Sequence, residues 1–361
     1  MNLRIPGPTP CPEEVLAAGA MQMMNHRGPE FAQILRRVTD GLNWVFGSTT
    51  DILSITTSGT GGLEAAVVNT LSPGDRVLSV SIGSFGDRLK SIAKTYGADV
   101  VSYALEWGEA ADPAVIGKML DEDGTIKAVL VTHNETSTGV TNPLEAIAKE
   151  VRARNRLIIV DAVSSMSSIP CPVERWDLDV VVSGSQKGWM VPPGLAFLYM
   201  SERAWQANAE AKMPRFYFDA ARTRDSLAKL QNPWTPAMSI YYAMDKAFEL
   251  IRAEGLEGVF TRHEAIANYT RQRVKGLGLS LVPVDESRAS NTVTAVWWPE
   301  GVDGKSISKR AREEFGIVLG GGQGKLEGKI FRVGHLGWVQ QHEVAEALDV
   351  VEQLLAEAKA G

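Results

Sequence analysis

Between about residues 30 and 260, short apolar runs alternate with stretches in which apolar residues recur at helical spacing. Five of the runs, at 76–82, 128–132, 156–160, 178–183 and 195–200, read as strands. Near-continuous apolar strands are covered on both faces, so this alternation predicts a mainly parallel sheet with helices on either side. Beyond a helix from about 235 to 253 the pattern changes. A long helix starts at Leu256, followed by a strand-like run at 291–298, a helix near 306–315, a strand-like run at 330–333 and a final helix from Gln341 to about Lys359. That order predicts a second, α+β region of about a hundred residues. The expected division is therefore an arm over residues 1–12, stiffened by four prolines, a large α/β domain over 13–255 and a small domain over 256–361. The large domain opens with a helix from Glu13 to about Met24, on which Met21, Met23 and Met24 are expected to pack.

Composition narrows the classes of function without selecting one. A chain of 361 residues with 44% apolar and 22% charged residues can bury a large core. The formal net charge of -6 gives no electrostatic reason to expect nucleic acid as a partner. No apolar run approaches the roughly 20 residues of a membrane span, and the early prolines do not suit a secretory signal, so a cytoplasmic protein is expected. Cys11 and Cys171, like His26 and His335, lack metal-ligand spacing, so reduced thiols and no metal site are expected.

The chemistry is sought in the residues just past each strand, because ligands of an open parallel sheet sit at the strands' carboxyl ends. The run ending at Thr132 leads into His133-Asn134-Glu135-Thr136-Ser137-Thr138-Gly139, the next into Asp161, and the third into Ser183-Gly184-Ser185-Gln186-Lys187-Gly188. Three successive strands thus deliver a hydroxyl, a carboxylate and an amine to one edge. A desolvated lysine has a lowered pKa and can condense with an aldehyde, and a carboxylate at the neighbouring strand end can keep a pyridine nitrogen protonated. The plain alternatives are a solvated loop lysine and a helix-capping aspartate; their joint placement argues against them.

A phosphate would have an anchor at Thr57-Ser58-Gly59-Thr60-Gly61-Gly62, a glycine-rich turn running into an apolar helix, where backbone N–H groups receive an anion. The turn fits neither a P-loop nor the dinucleotide fingerprint, and alone it could be a tightly packed helix cap. Phe85 comes after the 76–82 strand and could stack on a flat ring or fill the core. Arg332, inside an apolar strand pattern, needs either a substrate carboxylate or an interdomain ion pair.

These residues resemble the class V aminotransferases of the fold-type I pyridoxal 5′-phosphate (PLP) enzymes, especially the alanine–glyoxylate and serine–pyruvate or serine–glyoxylate branch. The resemblance runs from PGPTPCPEEV at the start through NHRGPEF, TSGTGGLEAA, THNETSTGV, VDAVSS and SGSQKGWMVPPG to FRVGHLG at 331–337. It implies a large domain with a mainly parallel seven-stranded sheet and a smaller α+β C-terminal domain. It also implies that Lys187 forms the Schiff base, Asp161 pairs with the pyridine nitrogen and Thr136 contacts the phenolic oxygen. Thr60, Gly61, Gly62 and Gln186 would hold the phosphate, Phe85 and Val163 would enclose the ring, and Arg332 would bind the substrate α-carboxylate. Thr235 matches a position that reaches the phosphate in the neighbouring subunit, which implies a homodimer. This chain departs from some relatives at Phe85, Gly62 and Asn232, where they carry tryptophan, histidine and tyrosine.

The expected reaction is a ping-pong transfer of the amino group of alanine or serine to glyoxylate or pyruvate. Small donors are favoured because Arg332 is the one cation recognised for a substrate carboxylate. A ureidoglycine or aminophosphonate aminotransferase is the alternative within the family. A cysteine desulfurase-like lyase is the more distant one, since the glycine-rich 319–325 stretch, expected either to close over substrate or to form a plain turn, holds no cysteine.

Overall fold

The computed structural model describes residues 1–360. Seven strands form the principal sheet in the order Leu53–Thr56, Leu195–Met200, Val180–Gly184, Leu157–Asp161, Ala128–Thr132, Arg76–Ser81 and Asp99–Ala104. All pairings are parallel except those of Leu195–Met200, which runs antiparallel to both neighbours. Strands Ala128–Thr132 and Val180–Gly184 are buried along their whole length, as helices on both faces require. The three strands expected to deliver the chemistry lie side by side in the middle of the sheet, with Thr132 opposite Asp161 and Asp161 opposite Val182.

Two strands of this sheet were not among the expected runs. Asp99–Ala104 is an edge strand that alternates exposed and half-buried positions, and Leu53–Thr56 has only 4 residues. Both lack the long apolar signature that marks the central strands.

A second sheet of four strands has the order Asn2–Arg4, Ile317–Gly321, Ile330–Gly334, Val293–Trp297. Its edge strand comes from the other end of the chain, because Asn2–Arg4 pairs in parallel with Ile317–Leu319. The arm is thus partly strand, and the 319–325 stretch begins as strand and ends in a 3-10 turn, Gly324–Leu326. Lys325 Nζ reaches Glu106 at 3.1 Å and lies over the Trp107 ring, which ties this stretch to the large sheet's side.

The opening helix is shorter than expected, Glu13–Gly19, and Met21 and Met23 are exposed instead of packed. The helix Gly59–Thr70 matters most for the site. Ser58 caps it, and the faces of Gly59 and Gly62 sit directly on the sheet: a Cβ at Gly62 would come within 2.7 Å of Val182 Cγ1 and 2.8 Å of Ala196 Cβ. No helix among the described residues is long and apolar enough to cross a membrane.

Candidate active site

A cavity of about 300 Å³ opens at the carboxyl edge of the principal sheet, and its walls include Ser58, Gly59, Thr60, Phe85, Arg88, Asp161, Val163, Gln186 and Lys187. Six residues selected from sequence therefore meet here: Thr60, Phe85, Asp161, Val163, Gln186 and Lys187. Gly61 and Gly62 do not line the cavity. Gly61 faces the Thr57 side chain and Gly62 packs on the sheet, so their lack of a side chain lets the helix start come close rather than forming the wall itself.

Lys187 is 9% exposed, and burial lowers its amine to about 8, with Arg332 and Arg88 pressing the same way against the opposing pull of Asp161. Its Nζ donates to the Pro6 carbonyl at 2.6 Å. Asp161 ends its strand in burial that raises its carboxyl to about 6, although Oδ1 accepts the Val163 amide at 2.9 Å. The pair presents an amine that loses its proton far more readily than an ordinary lysine and a carboxylate with acceptor capacity left over.

The helix start offers unmet donors. The Gly62 amide already serves the Ser58 carbonyl, and the Gly61 amide reaches Ser58 Oγ only at 3.5 Å, while the amides of Gly59 and Thr60 have no acceptor among the described residues. Beside them Gln186 Oε1 is buried without a partner, and a Cβ on Gly184 would lie 3.2 Å from it and 3.4 Å from Gly59 Cα. Unmet backbone amide donors at a helix start and an aromatic wall fit a flat ring carrying an anionic group.

Thr136 and Arg332, also selected from sequence, do not line the cavity but bond each other. Thr136 Oγ1 bonds Ser164 Oγ at 2.9 Å, and the Thr136 carbonyl accepts from Arg332 Nη1 at 3.0 Å. Arg332 is buried, donates through Nε to the Gly321 carbonyl at 2.8 Å, and has no carboxylate within salt-bridge reach among the described residues. Burial lowers its guanidinium to about 10, opposed by Glu135. The interdomain ion pair is therefore absent, and the charge remains available. Thr235 stands apart: it is exposed and lines a separate cleft with Tyr217, Asn232 and Trp234.

Four features escaped the sequence reading. Glu135, fully buried, accepts from the Phe85, Gly86 and Ser137 amides and from Ser137 Oγ, so it caps helix Ser84–Thr95 and fixes the helix turn that carries Phe85. Ser164 links Thr136 to the Asn134 carbonyl. Gly7, at φ 138°, lies on Lys187, where a Cβ would be 2.6 Å from Nζ. Arg88 supplies a second cation, lying 4.7 Å over the Phe85 ring. The premise that Arg332 is the one cation near the site is thus corrected. A glycine between two prolines and an arginine three residues past Phe85 were the available signals.

Comparison with known proteins agrees with this geometry. The family model described as Aminotransferase class-V matches residues 3–327. The chain is 44% identical to the soluble hydrogenase small subunit of a Synechococcus species, covering 98% of this chain and 93% of that one. It is 36% identical to serine–glyoxylate aminotransferase of Methylorubrum extorquens, covering 98% and 90%. The crystal structure of alanine–glyoxylate aminotransferase from a Nostoc species superposes with a TM-score of 0.93 at 32% identity, covering 98% and 95%.

Proposed function

This chain belongs to the class V aminotransferases, which are PLP-dependent, and from that membership we propose that it transfers the amino group of alanine or serine to glyoxylate or pyruvate. The observation that carries the reading is a buried Lys187 with its amine lowered to about 8, in a cavity lined also by Asp161 and under the charge of an Arg332 that lacks a carboxylate partner among the described residues. When bound, PLP supplies an electron sink for the carbanion at the substrate's α-carbon and carries the amino group between two half-reactions.

In this reading Lys187 would hold the cofactor through Nζ, and its amine would take the proton from the substrate's α-carbon and later return one. Asp161 would keep the pyridine nitrogen protonated. The helix start from Gly59 to Gly62, with Thr60 and Gln186, would receive the phosphate; Phe85 and Val163 would enclose the ring and Thr136 would serve the phenolic oxygen. Arg332 is tied to two carbonyls that fix its direction without neutralising it, so its remaining donors orient the substrate α-carboxylate. The reading includes a cytoplasmic homodimer in which Thr235 of the partner subunit reaches the phosphate, supported by the exposure of Thr235 and of neighbouring Phe216, at 67%, on the isolated chain.

The test is spectroscopic. The purified enzyme's visible cofactor band should fade on adding alanine or serine, but not glutamate, and return with glyoxylate or pyruvate. A protein that binds no PLP, or a band bleached by glutamate alone, would overturn the reading.

A further inference from the structure

Arg88 is unlike many other arginines of the chain. Arg36, Arg37 and Arg76 each pair with aspartates, and Asp87, its neighbour, is taken by Lys90 and by the Ser81 hydroxyl. Arg88 has no carboxylate within 4.0 Å among the described residues; its one hydrogen bond is a long contact, 3.4 Å, from Nη1 to Thr60 Oγ1. It projects from the same helix face as Phe85, three residues earlier, and its guanidinium lies over that ring. This places an unneutralised planar cation against the first turn of helix Gly59–Thr70, where the Gly59 and Thr60 amides also lack acceptors.

We propose that Arg88 binds the phosphate of the cofactor, supplying the charged donor that the glycine-rich helix start does not provide by itself. The inference rests on the PLP reading above and deepens it. Backbone amides at a helix start carry only a partial charge, whereas a guanidinium offers a dianionic phosphate charge-assisted hydrogen bonds. Stacking on Phe85 fixes the plane of the guanidinium and links the ring-stacking wall to the phosphate anchor. Two arginines act on Lys187 with different duties: Arg332 bonds the Thr136 carbonyl, and Arg88 lines the cavity beside the helix start. With Arg88 committed to phosphate, no second cation is left for a substrate side chain, which agrees with the small monocarboxylate donors proposed above.

The experiment strips the holoenzyme of cofactor by treatment with an amino donor and dialysis, then measures equilibrium binding of PLP and of pyridoxal, which lacks the phosphate, to wild type, Arg88→Gln and Arg88→Lys. The expected result is a PLP affinity lowered about 10- to 100-fold in Arg88→Gln, as for loss of a charged hydrogen bond, and partly restored in Arg88→Lys, with pyridoxal affinity unchanged. Inorganic phosphate should compete with PLP more effectively in wild type than in Arg88→Gln. PLP affinity within twofold of wild type would overturn the proposal. So would equal weakening of both ligands, which would make Arg88 a support for Phe85, or a raised KM for alanine or serine at unchanged PLP affinity, which would make it a substrate residue. Wild type that binds neither ligand would instead sink the cofactor reading itself.

Discussion

Asp161 and Asp179 are buried at opposite edges of the same sheet, one closing strand Leu157–Asp161 and the other standing just before its parallel neighbour Val180–Gly184. Burial pushes both carboxyls up to about 6. Their surroundings differ. Asp179 accepts the Ser201 hydroxyl at 2.8 Å, the Ile158 amide at 3.0 Å and an Arg203 fork at 2.7 and 2.9 Å, so its oxygens are saturated by protein. Asp161 has the Val163 amide alone. A carboxylate desolvated and then fully satisfied is holding two elements together; one desolvated and left with spare acceptors is waiting for a ligand. The titration shift does not separate structure from function here, whereas the hydrogen-bond inventory does.

The sharpest break of this comparison would come from the amine beside Asp161. Lys187→Ala should lower turnover by at least about 10⁴-fold while leaving the thermal midpoint near that of wild type, measured by coupled assay and calorimetry. Asp161→Asn should cut kcat by about 10²- to 10⁴-fold with little loss of stability. Asp179→Ala should invert that pattern, costing about 3 kcal/mol by removing the buried partner of Arg203, which keeps only the 3.8 Å contact to the more exposed Asp177, while activity per folded molecule persists. If Asp161→Asn unfolded the protein and Asp179→Ala silenced it, the distinction would be wrong.

A pH titration sharpens the same contrast. Only the neutral amine attacks an aldehyde, so capture of PLP by the stripped enzyme should speed up about tenfold from pH 6 to 7 and level off above about 8, followed by stopped-flow absorbance. Because the folded amine titrates near 8 and the unfolded one near 10.5, the folded state binds fewer protons between those values. Stability of the stripped enzyme should therefore rise with pH across that window, and Lys187→Met should lose that contribution. Gly62→Ala is the smallest effect: a Cβ pressed against Val182 and Ala196 should cost about 1–3 kcal/mol, read by denaturant unfolding.

What was legible in the sequence kept to the same division. Lys187 and Asp161 stand at or just past the ends of apolar central strands, so local pattern was enough to place them at the cavity, whereas Thr136, drawn from the same pattern, does not line it. Glu135 sits in the same segment but acts through space on the amides of Phe85 and Gly86, about fifty residues earlier, and no local pattern encodes that contact. Arg88 was hidden for a related reason, since an unpaired arginine looks like any helix-surface charge until its missing partner can be checked. The edge strands Asp99–Ala104 and Asn2–Arg4 were missed because a half-solvated or very short strand carries little apolar signal. Thr235 is a different case, lying on the surface of a single chain in a cleft of its own.

Residues 2–4 leave the ribosome more than three hundred residues ahead of Ile317–Leu319, the strand they pair with. At about 5–20 residues per second that is a delay of roughly 15–60 s, during which the large sheet can form. Two anchors of the arm over Lys187 therefore become available at different times: the Gln186 and Lys187 carbonyls that Thr9 bonds are made early, whereas the strand partner of residues 2–4 waits for synthesis of almost the whole polypeptide.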